Sequence, residues 1–283
     1  MQREFSALIL RLREFFTSRG YMEVFTPILN EYPNIDANIE PISVEVRRCG
    51  NLKKMWLHTS PEPAMKRLLV NLKQNIFQIA RVFRNSECGK RNLIEFTMLE
   101  WYKIEANYKD LIDEVFDLLR FLGFNIDGAI PLEEAFYKYL GIDSLEDGLI
   151  EKARALGIDA LSWEEAFYGL YAKLEGFLGF NGALAIYDFP PKAGCYSKIT
   201  NSRAERFEIY LNGIELANGW SEETDPSELL SRARVFAGEL KVDEEFFSLC
   251  GNLPRCAGCS LGVERLLMLF YNLDSLEGFS ILQ

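Results

Sequence analysis

One histidine, His58, stands in the 283 residues of this chain. Catalysis by a histidine base, a histidine-rich metal site or a serine–histidine pair therefore has almost no material, and an enzyme of this composition must work through electrostatics and positioning. No apolar run reaches the roughly 18–20 residues that span a bilayer. The opening Met1-Gln2-Arg3-Glu4-Phe5 lacks a basic region followed by an apolar stretch, so no signal peptide is expected and the cytoplasm is the expected location. Six cysteines, unevenly spaced, make no disulfide framework. No linker, repeat or low-complexity tract divides the sequence. A basic stripe is missing too: the formal charge is −11, and Lys and Arg are dispersed in small clusters such as Lys53-Lys54 and Lys90-Arg91, which argues against broad contact with nucleic-acid phosphates. Gly-x-x-x-x-Gly-Lys-Ser/Thr is absent, and Gly176, Gly179 and Gly182 form no dinucleotide fingerprint. Any ATP site must be built from arginines and a sheet surface.

What is present is an ordinary globular composition, 48% apolar, enough for a substantial core. Phe5, Leu8, Ile9, Leu12, Phe15 and Phe16 predict an amphipathic helix over residues 3–19, ended by Gly20, with a strand over 21–26 stopped by Pro27. Residues 56–59 are short and extended. Ser60-Pro61-Glu62 predicts a helix start, with a hydroxyl cap, an early proline and a carboxylate near the positive dipole end, running to about Leu72. The runs 76–84 and 96–102, joined by the polar loop 85–95, predict a long-looped antiparallel hairpin. Residues 108–179 read as helical, an insertion between parts of one sheet without a core of its own. Strand signals return at 183–189, 206–211 and 214–218, with Asn212-Gly213 as a tight turn. Helices are expected over 226–240 and 243–250, and a small-residue strand leads into a last helix at Val263. Strands, helices, then strands again indicate an α+β fold with a mainly antiparallel sheet.

Across the Asn212-Gly213 turn, Glu208 and Glu215 become diagonal neighbours on one face, about 7–8 Å apart at Cα. Such a pair repels itself unless something positive lies between, and Mg²⁺ on ATP phosphates is one candidate. Taken alone, two glutamates on a solvated face explain the pair as well. Strict alternation puts Asn218 on the opposite face, so a bulge must turn it if it serves the same site. Arg84 ends an apolar strand beside the open loop, and its planar fork suits phosphate or carboxylate. Glu100 and Tyr102 share a face of the returning strand. Arg265 sits in the first turn of the last helix, where a cation opposes the dipole and calls for an anionic partner. Either arginine alone fits an internal salt bridge equally. Cys250, Cys256 and Cys259 lack a second finger-spaced pair and a nearby histidine, and read as small buried residues rather than a metal site.

Together these segments resemble the class II aminoacyl-tRNA synthetases. Residues 19–27, Arg-Gly-Tyr-Met-Glu-Val-Phe-Thr-Pro, are similar to the first motif, whose proline (here Pro27) lies at a dimer interface. Phe83-Arg84-Asn85 through Glu95–Tyr102 resembles the second, which holds the α-phosphate, and Leu261-Gly262-Val263-Glu264-Arg265 the third, which lies against the nucleotide. Thr59-Ser60-Pro61-Glu62, residues 96–102 and Gly213-Ile214-Glu215-Leu216-Ala217-Asn218-Gly219 resemble the lysyl-tRNA synthetase group. The likeness is strongest to its shortened paralogues, which ligate lysine to elongation factor P. The resemblance implies a class II catalytic fold with ATP and Mg²⁺ as cofactors and a homodimer. It implies Arg84 and Arg265 as catalytic residues, with Asn85, Glu87, Glu215 and Gly262 completing the ATP site and Glu208 and Glu215 holding the metal. Ser60, Glu62, Glu100, Tyr102, Asn218, Glu222 and Ser260 would take the amino acid. Acidic residues suit a substrate ammonium.

Two departures from the pattern stand out. Ser86 replaces the usual Glu or Gly, leaving Glu87 for the adenine-side contact. Asn92-Leu93-Ile94-Glu95-Phe96 replaces His-Asn-Pro-Glu-Phe, so Lys90 or Arg91 must compensate for the missing histidine. A complete lysyl-tRNA synthetase carries an N-terminal anticodon-reading domain, whereas this chain opens in the helix before the first motif. The expectation is a single catalytic domain over 1–283, with a helical insertion at about 108–180 and no anticodon-binding domain. It would activate lysine or (R)-β-lysine as an adenylate and pass it to a lysine of elongation factor P, without tRNA or membrane as partner. Alternatives are a lysyl-tRNA synthetase core charging tRNA, a paralogue transferring to a small molecule, and an inactive regulatory paralogue that binds ATP or amino acid.

Overall fold

In the computed structural model, which describes residues 2–87, 89–273 and 275–276, the chain runs α1 (Gln2–Ser18), β1 (Met22–Glu23), β2 (Leu29–Asn30), β3 (Ser43–Arg48), β4 (Asn51–Leu57), α2 (Glu62–Leu72), β5 (Ile76–Phe83) and β6 (Glu95–Ile104). There follow α3 (Tyr108–Leu122), β7 (Ile126–Pro131), α4 (Leu132–Leu140), α5 (Leu149–Ala155), α6 (Trp163–Glu175), β8 (Ala183–Phe189), β9 (Ile199–Thr200), β10 (Arg203–Leu211) and β11 (Ile214–Ser221). Last come α7 (Pro226–Ala237), α8 (Glu244–Leu249), β12 (Cys256–Gly262) and α9 (Val263–Phe270). These group into two compact units, one of residues 1–107, 195–198 and 220–283, the other of 108–194 and 199–219.

In the first unit β1 pairs in parallel with β5, β5 antiparallel with β6, and β6 antiparallel with β12. From Thr97 to Tyr102 every residue of β6 is buried, as a central strand covered on both faces must be. On one side α1 inserts Phe16, whose ring centroid lies 5.1 Å from those of Phe77 and Trp101. Elsewhere Met65 and Leu69 of α2 pack with Phe246, Phe247 and Leu253. A separate sheet, β2-β4-β3, carries an exposed hairpin with Cys49 and Gly50 both at positive φ. Its few apolar residues explain why only its end, near Trp56, is visible in the sequence.

In the second unit β8 pairs antiparallel with β10 and parallel with β7. Residues 108–180 were expected to be a helical insertion between parts of one sheet, without a core of its own. β7 interrupts the helices, and Phe136, Phe167, Leu170, Leu174, Ile186 and Tyr210 form a core belonging to this unit. β7 has six residues, with a glycine and a terminal proline; its strand state comes from the ladder to β8, which no local signal encodes. The β10–β11 turn is as expected, with positive φ at both Asn212 (52°) and Gly213 (69°).

Candidate active site

Helix α2 begins at Glu62 with Pro61 as its cap residue and no side-chain cap bond. The expected cap by Ser60 is therefore not made. Instead the buried Ser60 Oγ accepts a hydrogen bond from Asn34 Nδ2 at 3.1 Å, and the same amide donates to the Ser60 carbonyl at 3.0 Å. Glu62, in the first turn, borders a cavity of about 550 Å³ that Ser60, Asp36 and Tyr196 also line. One turn on, Lys66 is buried, and its Nζ lies 2.6 Å from Glu62 Oε1 and 2.5 Å from Glu222 Oε2.

Strand β6 adds the next pair. Tyr102 Oη donates to Glu100 Oε1 at 2.8 Å, and both residues are buried. The β6–β12 ladder sets Ser260 opposite Glu100 and Gly258 opposite Tyr102. A Cβ on Gly258 would stand 2.5 Å from Tyr102 Cε1 and 2.8 Å from Glu222 Oε1, so glycine is what lets the Glu222 carboxylate lie against the tyrosine ring. Burial pushes Glu100 well above the usual carboxylate range, and the charge of Glu62 adds to it. Burial likewise raises Glu222 to about 7, against the pull of Lys66. Asp36, which accepts from Thr59 Oγ1 at 3.2 Å, is raised to about 6 by burial and by Glu62, with Arg84 opposing. Carboxylates thus gather around one lysine, and two of them, Asp36 and Glu62, line the cavity, where they would suit a positively charged group.

Arg84 leaves the end of β5 with its Nε 3.5 Å from the Thr59 carbonyl and its guanidinium 5.2 Å from the Phe96 ring centroid. Its influence on Asp36 places it beside the acidic pocket. Asn85 Nδ2 and Ser86 Oγ both donate to Glu40, each at 2.7 Å, and Ser86 takes a left-handed φ of 57°. Glu87 is half-buried in this loop. Gly262 caps α9, and Arg265 in its first turn donates from Nη2 to Asn92 Oδ1 at 2.9 Å and from Nε to the Arg91 carbonyl at 3.4 Å. Beside it Glu264 is buried and accepts the Thr97 backbone N–H at 2.8 and 2.9 Å and Arg81 Nη1 at 3.2 Å. His58, lowered by burial, lies with Nε2 2.6 Å from the Arg81 carbonyl and is a structural donor. Cys250, Cys256 and Cys259 are buried thiols in no disulfide.

In the second unit the inside–outside alternation of β11 breaks at Leu216-Ala217, both buried. Asn218 is thereby turned, and its Nδ2 donates to Glu208 Oε1 at 3.2 Å and Glu215 Oε1 at 3.5 Å. Glu208 is buried and fully engaged: Tyr171 and Tyr210 donate to Oε2 at 2.6 and 2.7 Å, and Arg206 Nη2 to Oε1 at 2.5 Å. Burial and the neighbouring Glu215 raise it to about 7. A carboxylate has about four acceptor sites, and all four are used. A divalent cation therefore fits through Glu215, with Glu208 joining only by giving up one of its donors. Among the described residues no group of three or more His, Cys, Asp or Glu is placed to hold a metal.

Sequence reasoning missed Lys66, Asp36 and Arg206. Lys66 stands at i+4 from Glu62 and Arg206 at i−2 from Glu208, the spacings of a shared face on a helix and a strand. Those spacings could have flagged both, but their burial could not be read.

Residues 3–281 match the family model of class II tRNA synthetases (D, K and N). The chain belongs to this family. Among class II relatives, an elongation factor P--(R)-beta-lysine ligase homolog from Aquifex aeolicus (strain VF5) is 44% identical over 276 residues, covering 95% of this chain and 94% of that one. An elongation factor P--(R)-beta-lysine ligase from Avibacterium paragallinarum is 37% identical, covering 95% and 91%. One from Histophilus somni (strain 2336) is 38% identical, covering 95% and 90%. The class II α+β fold is thus established. No helix among the described residues is long and apolar enough to cross a membrane.

Proposed function

We propose that this protein uses ATP to activate lysine or (R)-β-lysine and transfers the aminoacyl group to a lysine side chain of elongation factor P. The observation that carries this reading is the acidic cluster of Glu62, which lines the cavity, with the buried Glu100 and Glu222, in a chain whose class II relatives include ligases of that name. A desolvated ammonium needs such partners, and a diamino acid supplies two of them.

The substrate carboxylate attacks the α-phosphorus of ATP, forming the aminoacyl-adenylate and releasing pyrophosphate. A carboxylate is already nucleophilic, so no general base is needed. Arg84 stabilises charge on the α-phosphate, and Arg265 takes the distal phosphates. Asn85, Glu87 and Gly262 contact the nucleotide, and Ser60, Tyr102, Asn218 and Ser260 shape the amino-acid side. Mg²⁺, held through Glu215 with Glu208, would neutralise the phosphates. The acceptor ε-amine then attacks the acyl carbon, and AMP leaves. In this reading the protein works in the cytoplasm as a homodimer without tRNA.

ATP–pyrophosphate exchange with lysine and with β-lysine, followed by the mass of elongation factor P in parallel with a tRNA acceptor, tests this. Exchange together with a mass gain on the protein is expected. Silence with both amino acids sinks the adenylation reading, and acylation of tRNA alone sinks the protein acceptor.

A further inference from the structure

The amine pocket already contains an ammonium, that of Lys66. On α2 the residues Glu62, Ala64 and Arg67 face the cavity, whereas Lys66 does not line it and is 2% exposed. Its Nζ engages one oxygen from each of two carboxylates, Glu62 Oε1 and Glu222 Oε2. Of these two carboxylates Glu62 lines the cavity, while Glu222, like Lys66, is buried away from its lining. The lysine thus ties the cavity-facing carboxylate to the buried one.

We propose that Lys66 is a positioning residue for the amino-acid pocket, bridging Glu62 and Glu222 and aiming them so that they receive the substrate's amines. This rests on the amine-site reading given above. Without an internal cation, clustered buried carboxylates relieve their repulsion by taking up protons, and a protonated carboxyl binds an ammonium poorly. The groups facing this cluster come from several elements. Glu62 lies on α2, Glu222 follows β11, Glu100 and Tyr102 lie on β6, Asp36 precedes β3, and Cys250 follows α8. Arg84 acts on Asp36, Arg67 acts on Cys250, and Cys256 of β12 also faces Glu222. Lys66 is the cation bonded to both Glu62 and Glu222: burial opposes its charge, but Glu222 and Glu62 together hold its proton affinity well above the ordinary lysine range. Even so, Glu222 is raised to about 7, so amine binding strengthens as pH rises through that value.

The test is the KM for lysine in pyrophosphate exchange from pH 6 to 9, for the wild type, K66M and K66R, with the KM for ATP measured alongside. Wild-type affinity should improve with a midpoint near pH 7. K66M should move that midpoint up by at least about one unit, which weakens lysine at least about fivefold at pH 7 and less at pH 9, with the ATP KM unchanged. K66R keeps the charge and should keep the midpoint within half a unit of wild type, whatever its rate. A K66M midpoint equal to wild type overturns the proposal. Where K66M does not fold, a K66R midpoint displaced by more than about one unit overturns it instead. A wild type without exchange on lysine or β-lysine overturns the underlying amine-site reading, an outcome distinct from both.

Discussion

Arg265 Nη2 donates to the side-chain oxygen of Asn92 at 2.9 Å, tying the loop after β5 to the first turn of α9. An anionic partner was expected for Arg265; the contacts described are to the oxygens of Asn92 and of the Arg91 backbone. The Asn92 bond orients a guanidinium whose planar fork suits phosphate. Replacing Asn92 by Ala should loosen Arg265 and raise the KM for ATP severalfold. N92D should raise it more, because a carboxylate competes with the nucleotide for the same fork. Initial-rate kinetics in ATP decide the order, and N92D binding ATP as tightly as wild type would refute it.

Gly258 lies where a methyl group would press on Tyr102 Cε1 and Glu222 Oε1. G258A should displace the carboxylate and raise the lysine KM about tenfold or more, at a cost of about 1–3 kcal/mol in overpacking, while the ATP KM stays near wild type. Comparison of the two KM values checks this; equal increases in both would point to general distortion instead.

Glu264 anchors α9 to β6 through the Thr97 N–H and Arg81. E264A leaves that N–H without its acceptor and should destabilise the protein by about 1–3 kcal/mol. E264Q, which keeps an acceptor, should cost less. Urea unfolding of both variants measures the difference.

Glu222 has a folded-state proton affinity above its ordinary value of 4.5, at about 7. Its protonated form is therefore favoured by the fold, and its contribution to stability falls as pH rises between those two values. E222Q removes this dependence. The stability of E222Q relative to wild type should thus improve from pH 5 to pH 8, by at most about 3 kcal/mol. Thermal melts across that range test it, and a flat difference would exclude the raised affinity.

Much of this was legible in the residues. The runs around β5 and β6 and the turn at Asn212-Gly213 carry strong local signals, and their strands lie within a few residues of the expected bounds. The helix at Glu62–Leu72 was equally clear, but the role of Ser60 was not. A hydroxyl before a proline reads as a cap, and only the fold brings Asn34 to it from a distant loop. Asn218 was harder still. Its face depends on a break in β11 at two apolar residues, and nothing in Leu216-Ala217 announces a break.

By itself the sequence determined the chemistry on offer: a near-absence of histidine, arginines at strand and helix ends, and glutamates at spacings that share a face. These follow from composition and from the short periods of helix and strand, which are local properties of the chain. Only the tertiary structure decided which carboxylates are buried together, that Lys66 lies between Glu62 and Glu222, and that Glu208 is saturated by Tyr171, Tyr210, Arg206 and Asn218. Burial and pairing bring together residues far apart in the chain; Glu62 and Glu222 are separated by 160 positions. Desolvation, which sets their charge, exists only once those distant segments have closed around them.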